Sequence, residues 1–332
     1  MAQVNGKLLC PLTKECDCLI GDVIEIVCPN RNETDIIVRV DSVGHIKRIQ
    51  IHCNEYNANA FNRLPEWDVD EMQAIAVQFD RCAVMKLTKM QQIFHRLNVK
   101  RVQSLKLFAG STDETSDNEH TLSEHLFDDF PSITEISIEY SNISKVHENV
   151  FAKTKSLQNL SLAHNAIIEL SPNVFNTQTH LWALDLSFNR LTELDDTIFK
   201  ATSNLTILRL SHNQLTKISS HLFSGLSGLQ ELYLQNNRLV SIHMTALDGT
   251  NLRVLQLQNN FIEFSIDALD FDNASPFQNL FKLEQLNMRN NSIKHYLSDW
   301  NILNLALKEI DLSYNQIRMI DFGTQRAGKT TT

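Results

Sequence analysis

A leucine-based pattern that returns at a fixed interval dominates this 332-residue sequence. Apolar residues occupy the first, fourth, sixth and eleventh positions of the pattern, and asparagine occupies the ninth. The copy that begins at residue 157 has Leu157, Leu160, Leu162, Asn165 and Ile167 at these positions. Copies that begin at residues 133, 157, 181, 205 and 229 lie 24 residues apart. Such a register predicts a stack of similar units instead of a single globular core.

Further copies extend the pattern in both directions. Complete copies begin at Leu252, Leu283 and Leu307, and weaker copies begin at Ile46, Met72, Val102 and Ile133. In the copy at Met72 we expect Ile75 and Val77 as the paired apolar residues, with Asp80 at the asparagine position.

Each copy predicts one short strand followed by one turn. Its fourth to sixth residues alternate between apolar and polar, which is typical of a strand with one buried face. Neighbouring strands then pair in parallel about 4.8 Å apart, and the asparagine amide bonds backbone groups that the turn leaves open. Late apolar residues such as Phe175, Phe199 and Phe223 fill the convex side. The pattern therefore predicts an α/β leucine-rich repeat solenoid with a curved, parallel, concave β-sheet of about eleven coils.

The cysteines predict a disulfide-rich N-terminal cap over residues 1–45. All six lie within the first 82 residues, which indicates disulfides formed in an oxidising compartment. A zinc site is the rival interpretation, but paired C-x2-C spacings are absent. We expect strands over 23–27 and 36–40 to cover the open end of the first coil. Of fifteen possible pairings, we expect Cys10–Cys18, Cys16–Cys28 and, between the first two coils, Cys53–Cys82.

The repeat region spans 46–320 and contains two irregular segments. Segment 107–133 is long and acidic, and we expect a looped-out surface there; segment 262–283 is rich in phenylalanine and predicts a widened core. Residues 321–332 have neither a repeat nor a cysteine and predict an unstructured tail or an artificial remnant. Because no second cap is visible, we expect the chain to be part of a longer ectodomain.

Six Asn-X-Ser/Thr sequons favour an extracellular glycoprotein. They lie at Asn32, Asn142, Asn159, Asn204, Asn273 and Asn290. The sequence has no stretch of about 18 apolar residues, so we expect no direct membrane insertion by this chain. Its first residues also lack the regions of a signal peptide.

The concave face is the candidate binding surface, because the polar positions of each strand project from it. Large aromatic residues at such positions have no core to fill and are favoured interface anchors. The predicted ligand-binding residues are Lys47, Arg48, Phe79, Phe108, Tyr140, Trp182, Phe188, Arg209 and Tyr233. Solitary surface aromatics are the alternative for any one of them, but Trp182 and Phe188 share a repeat. Glycans at Asn159 and Asn290 would restrict a partner to the cap, the early coils or an edge.

Catalytic and cofactor chemistry finds little support in the sequence. Residues 323–330 match G-x-x-x-x-G-K-[ST], but a phosphate-binding loop needs a following helix and the sequence ends two residues later. The histidines show no metal-ligand or catalytic spacing. A net charge of −9 disfavours nucleic acid as a partner. We therefore predict a binding protein that is not an enzyme and needs neither a metal nor another cofactor.

Several irregular stretches resemble the ectodomain of insect Toll receptors. In the repeat region these are residues 275–277, 286–293, 299–300 and 309–315. In the cap they are Cys16-x-Cys18, Cys28-Pro29 and the segment 49–54. The resemblance covers residues 10 to 320 and implies a receptor of innate immunity and development.

That resemblance implies a specific mode of action. Such receptors bind a Spätzle-like cystine-knot cytokine dimer, mostly through the cap and early concave repeats. Ligand binding pairs two receptors, for example as a receptor homodimer, and their cytoplasmic TIR domains transduce the signal from the cell surface. The alternative is a secreted leucine-rich repeat protein of immune recognition or of the matrix, without a membrane anchor.

Overall fold

The computed structural model describes eleven segments of the chain. These are residues 3–4, 7–8, 17–20, 23–28, 36–43, 46–53, 72–82, 91–108, 120–264, 276–296 and 306–320. They fall into two units, Met1–Asn189 and Arg190–Thr332. The tail at 321–332, with its glycine-lysine motif, lies outside the described residues, as do 109–119 and 265–275 in the irregular segments.

The first unit consists of short strands and one short helix. In chain order they are β1 (Gln3–Val4), β2 (Lys7–Leu8), β3 (Asp17–Ile20), β4 (Val23–Cys28), β5 (Ile36–Val43), β6 (Ile46–Cys53), β7 (Met72–Asp80), α1 (Gln91–Arg96), β8 (Val99–Arg101), β9 (Ser104–Phe108), β10 (His120–Leu122), β11 (Glu135–Glu139), β12 (Ile143–Val146), β13 (Asn159–Ser161) and β14 (Ala183–Asp185).

Antiparallel strands in the cap lead into parallel strands in the coils. Strands β3, β4, β5 and β6 pair in succession, each antiparallel to the last. Strands β6, β7, β9, β11, β13 and β14 then pair in parallel. The two strands expected in the cap are confirmed, and they join the sheet by edge pairing with the first coil.

The second unit repeats the same design. Its strands are β15 (Ile207–Arg209), β16 (Lys217–Ile218), β17 (Glu231–Tyr233), β18 (Ser241–Ile242), β19 (Val254–Gln256), β20 (Gln285–Asn287), β21 (His295–Tyr296), β22 (Glu309–Asp311) and β23 (Met319–Ile320). Strands β15, β17, β19, β20 and β22 pair in parallel, one per repeat. Shorter parallel pairs follow the turn: β16 with β18, and β21 with β23. The predicted leucine-rich repeat solenoid is thus confirmed.

Strand register aligns the core residues and corrects one prediction. Val77 pairs with Leu105, and Phe79 pairs with Leu107. The sixth position of the second repeat is therefore Phe79, and the copy predicted from Met72 was placed two residues too early. Phe79 is only 1% exposed, so its expected place on the concave face is wrong: it points into the core because it shares a strand face with Val77.

A ladder of asparagines joins neighbouring coils. The Nδ2 of Asn165 donates to the carbonyl oxygens of Ile138 (2.7 Å) and Leu162 (3.0 Å). Its Oδ1 accepts from the backbone N–H groups of Ser141 (3.1 Å) and Ile143 (3.2 Å). The same bonding between coils recurs at Asn189, Asn237, Asn260, Asn291 and Asn315. These side chains satisfy backbone groups that the turn would otherwise bury unpaired.

A disulfide takes the place of the ladder in the early coils. Cys53 and Cys82 are bonded, with their Cα atoms 5.1 Å apart, so the predicted pairing is confirmed. Cys82 stands at the ninth position of its repeat, and its Sγ lies 3.6 Å from the carbonyl oxygen of Ile51. The cross-link thus joins two coils at the position that an asparagine bridges elsewhere. Cys10 and Cys16, and the side chains of Cys18 and Cys28, lie outside the described residues.

Phenylalanines build the convex side of the core, as predicted. In the first unit the ring centroids of Phe127 and Phe151 lie 5.9 Å apart, and those of Phe151 and Phe175 lie 6.5 Å apart. In the second unit Phe199 and Phe223 stack at 6.4 Å. All five are fully buried. One ring per coil therefore fills the space between the turns and the concave sheet.

Candidate ligand-binding surface

The residue before the ladder asparagine has an unusual backbone conformation. In nine of the described coils this eighth position has a positive φ, between 50° and 59°, at Arg81, Tyr140, His164, Phe188, His212, Asn236, Asn259, Asn290 and Tyr314. This left-handed region is sterically unfavourable for residues with a Cβ atom, and asparagine tolerates it best among them. The turn therefore fixes the direction of one side chain per coil, whatever that side chain is.

Three such residues form a continuous stack in the first unit, which we call the aromatic column: Tyr140, His164 and Phe188. The Tyr140 and His164 ring centroids lie 4.3 Å apart with the planes 15° from parallel. His164 and Phe188 are 4.1 Å apart at 12°. Backbone bonds keep the turns in step, since the N–H of Tyr140 donates to the carbonyl of His164 at 3.1 Å. Tyr140 remains 50% exposed and Phe188 41% exposed.

Small residues and carboxylates form the sheet surface beside the aromatic column. Glu139 accepts hydrogen bonds from the hydroxyls of Ser137 (3.0 Å) and Ser161 (2.7 Å) on the same oxygen. Asp185 accepts from the hydroxyl of Ser187 at 2.5 Å and from its backbone N–H at 2.9 Å. These hydrogen bonds hold both carboxylates against the sheet.

Trp182 lies at the opposite end of its strand from Phe188. Trp182 precedes β14 and Phe188 follows it, so at about 3.3 Å per residue the two are up to about 20 Å apart along the chain. Trp182 is 40% exposed. Sharing a repeat therefore does not bring these two aromatic residues together: they flank the strand on either side.

The other predicted site residues differ in their exposure. Arg48 is exposed, Phe108 is half-buried at the end of β9, and only the backbone of Lys47 is described. Arg209 and Tyr233 are half-buried neighbours in the second unit, and the Arg209 guanidinium carbon lies 5.1 Å from the Tyr233 ring centroid. The predicted residues thus range from exposed to half-buried, apart from the buried Phe79.

Tyr233 is drawn into a polar contact within its own strand. Its hydroxyl donates to the Glu231 Oε2 at 2.9 Å. Burial, and to a smaller extent this hydrogen bond, raise the pKa of Tyr233 above its ordinary value. The phenol therefore stays neutral, and its hydroxyl group donates its hydrogen bond to Glu231.

Amide side chains occupy the eighth position through the middle of the second unit. Asn236 bonds the His212 ring at 3.0 Å, Asn259 donates to Asn236 at 2.8 Å, and Asn290 donates to Asn259 at 3.0 Å. The last described coil differs, since Tyr314 is 71% exposed beneath the guanidinium of Arg289 at 4.1 Å. Where the first unit has stacked rings, the second thus has mainly a hydrogen-bonded amide row.

In the second unit, ion pairs connect the residues at the second position of three successive repeats. Glu284 contacts Arg253 at 2.5 Å and Lys308 at 2.7 Å. The hydrogen bonds from Lys308 and Arg253 lower the pKa of Glu284. A similar local effect acts on Asp311, whose pKa is lowered by the Ser313 hydroxyl and N–H. The negative charge of Glu284 is therefore neutralised within the protein, and its two cationic partners leave a net positive charge.

The described sequons differ in how they present their asparagine. Asn142, Asn204 and Asn290 are exposed. Asn159 is half-buried in β13, and its Oδ1 is buried without a hydrogen-bond partner among the described atoms. Asn32 and Asn273 lie outside the described residues.

Sequence reasoning missed the most organised part of this surface. It did not select His164, Glu139 or Asp185. The signal was present, because the residue before each ladder asparagine recurs at the same interval.

In the parts of the chain that the structure describes, no three His, Cys, Asp or Glu side chains converge as metal ligands. No described helix is long and apolar enough to cross a membrane.

Comparisons with known proteins agree with this architecture. The sequence profile of the leucine rich repeat family matches residues 131–191 and 179–239. This chain is a leucine-rich repeat solenoid. An internalin from Listeria monocytogenes has the same fold, with a TM-score of 0.53 and 18% identity over 76% of this chain and 68% of that chain.

The resemblance to Toll receptors is confirmed by a curated relative. Protein toll of Drosophila melanogaster is 40% identical over 75 residues, which is 21% of this repeat protein and 7% of the relative. The solved complex of Toll with Spatzle, in its glycosylated form, matches with a TM-score of 0.46 and 22% identity over 91% of this chain and 62% of that chain. The repeat protein thus spans less than two thirds of the Toll chains that it matches.

Proposed function

We propose that this repeat protein is the ligand-binding part of an extracellular Toll-type receptor and that it binds a Spätzle-like cystine-knot cytokine dimer. The observation that carries the proposal is the set of solvent-exposed aromatic residues on and beside the concave sheet, above all Tyr140, Trp182 and Phe188. Exposed aromatic side chains contribute disproportionately to protein interfaces. The similarity to Protein toll supports the class of ligand, because Toll itself is found in a complex with Spatzle.

The proposed ligand contacts the cap and the concave face of the first unit. Antiparallel cap strands pair directly with the first coil, so the cap and the coils present one continuous sheet to a partner. In the full-length receptor, ligand binding would pair two receptors and start signalling in innate immunity and development. We propose that N-glycans are attached at the exposed Asn142, Asn204 and Asn290.

Direct binding of processed cytokine dimers tests this function. The oxidised, glycosylated chain is immobilised and exposed to a panel of recombinant Spätzle-like dimers, after cooperative unfolding confirms that it is folded. We expect at least one dimer to bind saturably in the nanomolar to micromolar range. A folded chain that binds none of them would refute the proposal, and saturable binding to matrix components instead would favour the secreted alternative.

A further inference from the structure

We propose that the aromatic column, together with Glu139 and Asp185, binds a basic loop of a partner protein. The loop would present an arginine or lysine next to an apolar side chain. This inference deepens the proposed function, because it states which chemical groups of the ligand the first unit recognises. It rests on the proposed function in one respect, namely that the partner is a protein.

Backbone geometry shows that the fold does not require aromatic residues in the column. Tyr140 and Phe188 have φ values of 50° and 54°, and the equivalent Asn236 and Asn259 have 57° and 59°. The same turn is thus built in the second unit with the residue that tolerates this conformation best. Tyrosine and phenylalanine are disfavoured in this left-handed conformation. The turn itself therefore does not explain why the chain has aromatic residues at these positions.

Solvent exposure shows that the core does not require them either. The rings cover each other's faces, but Tyr140 and Phe188 still leave 50% and 41% of their area in contact with water. Their edges form an apolar ridge next to a sheet whose partly exposed side chains include the small residues Ser161 and Ala183. A partner's side chain can therefore lie on the sheet and pack against the ridge.

The carboxylates beside the ridge determine the charge of that partner. In the described part of the first unit, Lys106 lies 3.1 Å from Glu135, whereas no described ion pair reaches Glu139 or Asp185. Their hydrogen-bond partners are serine hydroxyls and a backbone N–H, none of which carries a positive charge. A cationic group is the complement to these charges. Arginine is favoured because its planar guanidinium pairs with carboxylates and also packs against aromatic rings.

A selection that does not need the natural ligand tests the inference. A random peptide library displayed on phage is selected on the immobilised wild-type chain. We expect recovered peptides to be enriched in arginine or lysine next to an aromatic or aliphatic residue. Recovery of no binders, or of binders without enrichment in basic residues, would overturn the proposal.

Variants then connect the peptides to this surface. The double variant Tyr140→Asn, Phe188→Asn keeps the residue type that the turn accepts, and Glu139→Gln removes one charge at nearly constant volume. We expect each to weaken a selected peptide at least tenfold, while the matched control Tyr314→Asn, which replaces an exposed aromatic residue at the same turn position of the last described coil, leaves binding unchanged. Equal binding by all variants, with unfolding curves like that of the wild type, would also overturn the proposal.

The same variants separate this inference from the proposed function. If a Spätzle-like dimer binds the wild type and the variants equally, the function stands and the site assignment is wrong. If no dimer binds but the selected peptides are basic and depend on Tyr140, Phe188 and Glu139, the site stands and the proposed function is wrong.

Discussion

Replacing Asn237 by alanine should remove three hydrogen bonds from the interior of the second unit. Its Nδ2 donates to the carbonyl oxygens of Leu210 (2.9 Å) and Leu234 (3.0 Å), and its Oδ1 accepts from the Leu215 N–H (3.0 Å). The side chain is only 6% exposed, so water replaces these bonds poorly. Since each backbone group left buried without a partner costs roughly 1–3 kcal/mol, we expect Asn237→Ala to lower the free energy of unfolding by about 4 kcal/mol.

Denaturant unfolding and hydrogen exchange together measure this effect. The midpoint in guanidinium chloride should fall, and the Leu215 amide should exchange faster because it loses its acceptor. Arg238→Ala is the matched control, since it is the next residue and its side chain is exposed. A destabilisation below about 1 kcal/mol, or a Leu215 amide as protected as in the wild type, would refute the reasoning that the asparagine amide, and not only the leucine core, holds neighbouring coils together.

Three further perturbations follow from the same structure. Replacing Cys53 and Cys82 by alanine opens a loop with a sequence separation of 29 and should cost about 3–4 kcal/mol in denaturant unfolding. Phe151→Ala empties the centre of the phenylalanine stack and should cost about 3–5 kcal/mol by the same assay. The pKa of Glu284 is lowered below the ordinary value of 4.5, so its stabilising effect is present above that pH and is lost as the pH falls through the lowered pKa. The difference in melting temperature between wild type and Glu284→Gln should therefore disappear under acidic conditions.

The regular repeats could be predicted because two independent signals coincide in them. Alternation assigns the buried face of a strand, and the asparagine fixes where along the chain the strand ends. At Leu160 and Leu162, for example, both signals are present, and the observed strand β13 lies where they place it. The same holds for β15, β17 and β19 in the second unit.

The second repeat shows what happens when one signal is missing. Ile75, Val77 and Phe79 all have the parity of one strand face, so a shift of two residues leaves the alternation unchanged. Only the ninth residue could have fixed the register, and there the chain has Cys82, already assigned to a disulfide. Because of that ambiguity, the burial of Phe79 could not be recognised from alternation alone.

Side-chain stacking on the binding surface depends on geometry that the sequence does not display directly. Exposure of Tyr140, Trp182 and Phe188 was predictable, because polar strand positions project away from the core. The contact of His164 with two rings arises only because the left-handed turn aims successive eighth residues in one direction. A sequence pattern gives the interval between such residues but not the φ angle that brings them into contact.

Asn159 is the sequon at which glycosylation and the proposed site would compete. It lies in β13 between Glu135 and Ala183 of the neighbouring strands, and a glycan on its Nδ2 would extend across the sheet beside the aromatic column. Its Oδ1 is buried, so the amide is held against the sheet, and we expect this sequon to remain unmodified while Asn204 carries a glycan. Mass spectrometry of peptides released after enzymatic deglycosylation in heavy-oxygen water measures both occupancies in one sample. High occupancy at Asn159 in folded, secreted protein would contradict both this expectation and an open site at the column, because the attached sugar would occupy the space that the proposed loop requires.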